Sequence, residues 1–206
     1  MPPPEPGRHS TKNLTRLIQG LAPCAAPHLL DLGRLCGENI EWLIHRRCKV
    51  SVDDQITGLR PAPPAPPPPR SPRVKEKAPP PVVVLSLSYP ENSFDAILCW
   101  DLFDYLDRPS MQASLERLAA LLKPKGYLLA FFNCQRAATR PAVRYRIVSD
   151  ELLAYDALPE PILPGRVYEN REIQELFADF DVVNSCFLTN QMREVLVQKK
   201  TPASRR

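Results

Sequence analysis

LLDLGRLCG, residues 29–37, is an apolar run that breaks into a turn punctuated by two glycines. Read from one residue earlier, His28-Leu29-Leu30-Asp31-Leu32 has the length and apolarity of a strand buried on both faces. Gly33 closes it. From Gly37 to Arg47 the period changes, and Ile40, Leu43 and Ile44 fall on one helical face. Lys49-Val50-Ser51-Val52-Asp53 returns to strand chemistry and ends in two carboxylates, Asp53 and Asp54. Strand, turn, helix and strand in this order make a right-handed βαβ unit.

Outward from that unit the same alternation recurs. Upstream, residues 1–12 open on Met1-Pro2-Pro3-Pro4-Glu5-Pro6 and are expected to be a disordered leader. Asn13 then caps an amphipathic segment with Leu14, Leu17, Ile18 and Leu21 on one face, ended by Pro23 and Pro27. Downstream, residues 58–81 hold a large share of the chain's 25 prolines. A tract this poor in amide donors cannot form a helix, and it interrupts the domain as a linker. Val82-Val83-Val84-Leu85 is the next strand candidate, and Phe94-Asp95-Ala96-Ile97-Leu98-Cys99-Trp100 is a further buried strand. A helix carrying Leu115, Leu118, Leu121 and Leu122 stops at Lys123-Pro124-Lys125-Gly126, and Tyr127 to Phe132 is again a strand. After a helix begun at Asn170, two strands close the chain as an antiparallel hairpin: Asp181 to Leu188 and Arg193 to Gln198.

Composition restricts the choices further. At 206 residues there is room for one well-buried core, here over residues 13–199 with a disordered basic tail at 200–206. The net charge of +4 is no nucleic-acid signature. Six scattered cysteines lack any C-x-x-C pair, and with only three histidines no metal site is expected. No secretory signal and no membrane-spanning apolar run is visible, so the expected setting is the cytoplasm, without membrane attachment.

Three strings together resemble the class I methyltransferases, in the group known as type 11. LLDLGRLCG is similar to the family's first motif, SFDAILCWDLFDYL (93–106) to its fourth-strand region, and LERLAALLKPKGYLLAFF (115–132) to its helix, K-P-x-G stop and fifth strand. The resemblance implies an α/β fold with a Rossmann-like, seven-stranded, mostly parallel sheet and a C-terminal antiparallel hairpin. It implies S-adenosylmethionine as cofactor. The first motif is degenerate, because Leu35 stands where the family's middle glycine stands.

The chemistry of such a site is independent of the resemblance. An open α/β sheet binds its ligand at the carboxyl ends of the strands, where strand order reverses. Asp53 follows Asp31 by 22 residues, close to the ~20-residue step from the glycine turn to the acid that accepts ribose hydroxyls. The cofactor-binding candidates are therefore Asp31, Gly33, Leu35, Gly37, Asp53 and Trp100, with Asp54 the substitute for Asp53. Asp101 and Tyr105, just past the fourth strand, are the catalytic candidates, placed to position or deprotonate an acceptor. Each has a plainer reading: turn glycines, a loop-capping Asp31, a core Trp100, acids favoured at a helix start.

Between the fifth and sixth strands, residues 133–169 carry Arg136, Arg140, Arg144 and Arg146 among tyrosines. An insertion here covers the substrate in this fold, and the arginines would suit an anionic small molecule. Cys99-Trp100-Asp101-Leu102 departs from the Asn/Asp-Pro-Pro-aromatic string of nucleic-acid amino methylases, so a nucleic-acid substrate is not expected. The function expected is methyl transfer from S-adenosylmethionine to a small-molecule acceptor. The alternative is a non-catalytic methyltransferase-like scaffold that binds protein through the proline-rich tract or an exposed sheet face.

Overall fold

The structure is a computed structural model and describes residues 7–58, 82–135, 140–163, 167–188 and 191–201. In chain order its elements are β1 (Gly7–Ser10), α1 (Asn13–Leu21), β2 (His28–Asp31), α2 (Gly37–Ile44), β3 (Lys49–Val52), α3 (Gln55–Gly58), β4 (Phe94–Trp100), a 3-10 turn (Leu102–Tyr105), α4 (Arg108–Leu121), β5 (Leu122–Asn133), β6 (Arg140–Ser149), β7 (Leu152–Leu163), α5 (Asn170–Leu176), β8 (Phe180–Phe187) and β9 (Met192–Lys199). A six-stranded sheet runs β3-β2-β4-β5-β9-β8, and a three-stranded sheet runs β1-β7-β6. In the larger sheet β3, β2, β4 and β5 are parallel, and β9 runs antiparallel between β5 and β8, closing the sheet as a hairpin with β8.

Strand alternation sorts the core into two layers. Ile97, Cys99, Leu128, Ala130 and Phe132 face α4 and α5, where Met111, Leu115, Leu118 and Ile173 meet them. Ala96, Leu98, Trp100, Leu129 and Phe131 face the other way, against Leu14, Leu17 and Leu21 of α1, Leu43 of α2, and the smaller sheet. Each leucine, isoleucine, methionine or phenylalanine among them, fully buried, contributes roughly 1.5–3 kcal/mol of transfer free energy. Asp107 starts α4 by accepting the Ser110 N–H at 2.9 Å, with Pro109 in the first turn.

Two expectations are corrected. The main sheet has six strands, not seven, because Val82 to Leu85 pairs with no strand among the described residues. Its backbone is satisfied elsewhere: Val83 donates to the Ser110 hydroxyl at 2.8 Å, and Arg117 donates to the carbonyls of Leu87 and Tyr89, both at 2.7 Å. Leu85 and Leu87 are buried while Val82, Val83 and Val84 stay exposed, so β3 is left as the sheet edge. Secondly, the expected leader is ordered from Gly7, as β1 pairs with β7 in the register His9↔Leu153. Thr11 anchors this arm, its hydroxyl donating to buried Glu194 of β9 and accepting the Leu14 N–H that opens α1. The insertion expected at residues 133–169 contains the β6–β7 hairpin, which with β1 lies over the main sheet. The proline-rich tract beyond Gly58, residues 1–6 of the leader and residues 202–206 of the tail lie outside the described residues.

Candidate active site

β2 leads through α2 to β3 on one side, and β4 lies on its other side, so strand order reverses between β2 and β4. Asp31, Gly33 and Trp100 meet at the carboxyl ends of those two strands. Asp31 is 1% exposed, and its Oδ1 accepts the Gly33 N–H at 2.9 Å and the Trp100 indole N–H at 2.6 Å. Burial pushes its carboxyl up to about 6, against the pull of those two hydrogen bonds.

Gly33 is required for space, not for its backbone angles. A Cβ there would stand 2.3 Å from the indole Cδ1 of Trp100. Trp100 itself has φ of 49°, left-handed backbone that a bulky residue seldom adopts. Its indole lies parallel to the Tyr145 ring, planes 5° apart and centroids 5.2 Å apart. Trp100 thus fills the crevice between β2 and β4, and the strain at its backbone is compensated by one charge-assisted hydrogen bond and one stack.

The outer half of the site is open. Asp53 donates its backbone N–H to the Asp31 carbonyl at 2.9 Å, which sets the two strand ends side by side. Its carboxylate is part-exposed and accepts the Gln55 side-chain amide at 2.5 Å. Asp54 turns instead to Arg34 at 3.7 Å and to the Thr57 N–H at 2.8 Å. Leu35 is 63% exposed and does not fill the turn, and a Cβ on Gly37 would meet nothing within 4 Å. The residue that occupies the crevice is Trp100, which the sequence marks as a cofactor contact.

Asp101 and Tyr105 come together, the phenol donating to Asp101 Oδ2 at 2.7 Å, and Asp101 is fully buried. Asp104, also fully buried, accepts the Asn133 N–H at 3.0 Å and pins the turn after β4 to the end of β5. Of the arginines expected to read a substrate, Arg144 pairs with Asp156 across the β6–β7 hairpin at 3.3 Å. Arg136 and the Arg140 side chain lie outside the described residues.

Two contributors, Asn39 and His9, escape the sequence reading, and a third, Tyr145, enters it only among the tyrosines of the 133–169 segment. Asn39, buried on α2, donates to the Tyr145 carbonyl at 3.0 Å and accepts the Ile147 N–H at 2.7 Å, so one side chain clamps the edge of β6. Tyr145 reaches the crevice because Val143, Tyr145 and Ile147 alternate inward, a period of two that is visible in the sequence. His9 packs against Phe131, Tyr145 and Tyr155, and nothing local to residues 7–10 announces it.

Among the described residues no group of three metal-ligand side chains could hold an ion, and no helix is long and apolar enough to cross a membrane.

A parallel sheet closed by a hairpin, with a glycine turn at its switch point, defines a class. Residues 30–130 match the model of the family described as a methyltransferase domain, and the chain has the Rossmann-like fold of a methyltransferase. Among solved structures it is similar to the 1,6-didemethyltoxoflavin-N1-methyltransferase of Burkholderia thailandensis, solved with 1,6-didemethyltoxoflavin and S-adenosylhomocysteine bound. The two share 16% identity over 92% of this chain and 78% of that one, with a TM-score of 0.50, a likeness of fold. A SAM-dependent methyltransferase from Aquifex aeolicus matches at 17% identity over 84% and 81% of the two chains, TM-score 0.47. One from Methanosarcina mazei matches at 12% over 85% and 93%, TM-score 0.44. No curated protein matches the sequence.

Proposed function

We propose that this domain binds S-adenosylmethionine across the carboxyl ends of β2 and β3 and methylates a small molecule held beneath the three-stranded sheet. The observation that carries the reading is Asp53, a part-exposed carboxylate beside the end of β2, with open space at Gly37. That donor set suits the adenosyl half of the cofactor, since a carboxylate in this place accepts from ribose hydroxyls. At Gly33 the fit requires the Trp100 indole to move, so the conformation described is the closed one.

When bound, the cofactor supplies an electrophilic methyl group on a sulfonium. The chain does the rest. Asp53 holds the ribose, and Asp31 orients the Gly33 turn through its N–H. Asp101, with Tyr105 on its Oδ2, positions the acceptor or takes its proton. The β1-β7-β6 cover, clamped by Asn39, keeps water from the crevice. We place the activity in the cytoplasm, in keeping with six cysteines that form no disulfide.

Calorimetry with S-adenosylhomocysteine tests the cofactor half. The folded chain is expected to bind it, and Asp53→Ala to lose at least about tenfold, near 1.4 kcal/mol. Absence of heat at millimolar ligand, from protein that melts cooperatively, contradicts the reading.

A further inference from the structure

His9 is 6% exposed, and neither of its ring nitrogens has a hydrogen-bond partner among the described residues. Buried polar groups without partners cost free energy, and folded chains keep few of them. The ring stands edge-on to Phe131 at 5.6 Å and to Tyr145 at 6.3 Å, and 5.8 Å from Tyr155. Burial alone holds the imidazole down to about 4, so near neutrality it is uncharged, with one N–H to give and one nitrogen to accept. The rings packed against it are uncharged, and the buried acid on the same face, Glu194, lies opposite Phe131 and is engaged by the Thr11 hydroxyl. In the register of the small sheet, His9 lies opposite Leu153, which lies opposite Ile147, while Arg8 and Arg144 alternate to the solvent side. On its far face Tyr145 stacks against Trp100, so His9 is one aromatic layer from the crevice.

A buried imidazole walled by rings and left with an unsatisfied donor and acceptor calls for a ligand of particular chemistry. We propose that His9 is the recognition group of the acceptor site. Its ligand is an uncharged, flat aromatic molecule bearing a hydroxyl or ring N–H, distinct from the atom methylated, which bonds to the imidazole while its ring packs among Phe131, Tyr145 and Tyr155. Tyr155, only half-buried, is the ring that moves to admit it. This rests on the methyl-transfer reading for the word acceptor, but the binding itself needs no cofactor. It differs from the anionic substrate expected from the arginines, one of which, Arg144, pairs with Asp156.

The test is calorimetry of the full chain with phenol and with toluene, which share a ring and differ in one donor, without S-adenosylhomocysteine. The parent is expected to bind phenol about tenfold more tightly than toluene, the worth of one neutral hydrogen bond. His9→Phe, which keeps the ring, should bind the two alike with toluene affinity unchanged, and His9→Gln should recover part of the preference. Melting of His9→Phe at or above the parent's temperature is expected, because no hydrogen bond is lost. Equal phenol binding by parent and His9→Phe, no phenol binding by the parent, or a large fall in the melting temperature of His9→Phe would each overturn the proposal. Failure to bind S-adenosylhomocysteine would leave this result standing and strike only the cofactor reading.

Discussion

Asp31 and His9 approach one pair of stacked rings from opposite sides, Asp31 through Trp100 and His9 against Tyr145. Burial drives both toward their neutral forms, the carboxyl up to about 6 and the imidazole down to about 4. What separates them is partners. Asp31 is met by two N–H groups of its own chain, and His9 by none among the described residues. A buried group that the fold itself satisfies holds a conformation; one that the fold leaves unsatisfied awaits a ligand. On this contrast the crevice is shut by internal bonds, while the imidazole under the cover keeps an unmet demand.

The largest effect that would break the contrast is at Trp100. Trp100→Ala is expected to cost ~3–5 kcal/mol in denaturant unfolding, as large aromatic truncations do. S-adenosylhomocysteine should nonetheless bind the variant more tightly, because the crevice is vacated. Equal or weaker binding would make the indole core and nothing more.

The pH dependence sharpens the contrast, because the two groups act with opposite sign. His9 has its folded pKa below the ordinary 6.5, so between about 4 and 6.5 the unfolded chain holds the extra proton and stability rises with pH. Asp31 has its folded pKa above the ordinary 3.8, so the folded chain holds the extra proton and stability falls as pH rises toward about 6. Each limb is worth at most ~3 kcal/mol at 1.36 kcal/mol per unit. Urea titrations across this range should show His9→Phe losing the rising limb and Asp31→Asn losing the falling one. Superimposable profiles for parent and both variants would remove the basis of the comparison.

The smallest effect is at Leu35. Because that side chain is 63% exposed and supports no wall of the site, Leu35→Ser should change stability by less than ~0.5 kcal/mol. A larger loss, read from the same unfolding curves, would place it in the core.

Most of the main sheet was legible because its strands and helices declare themselves locally. The βαβ unit, the Leu-rich α4 and the closing hairpin all follow from period and punctuation, and so does the placing of Asp31 beside Asp53. The rest depends on partners far along the chain. Residues 82–85 have strand composition, yet Ser110 of α4 takes the Val83 N–H, and Arg117 takes the carbonyls of Leu87 and Tyr89 just beyond. Gly7 to Ser10 lack any strand pattern and are ordered by residues 152–155. The role of Trp100 as occupant of the crevice depends on Tyr145, 45 residues further on, and on an unusual backbone angle that composition does not announce.

The central claim is that the Trp100 indole stands where the cofactor must enter. Trp42→Phe leaves Trp100 as the single tryptophan, so its emission reports that position alone. Titrated with S-adenosylhomocysteine, the variant should show emission moving to the red as the indole leaves its stack, saturating at the concentrations at which calorimetry saturates. Saturable binding with unchanged Trp100 emission would contradict the account.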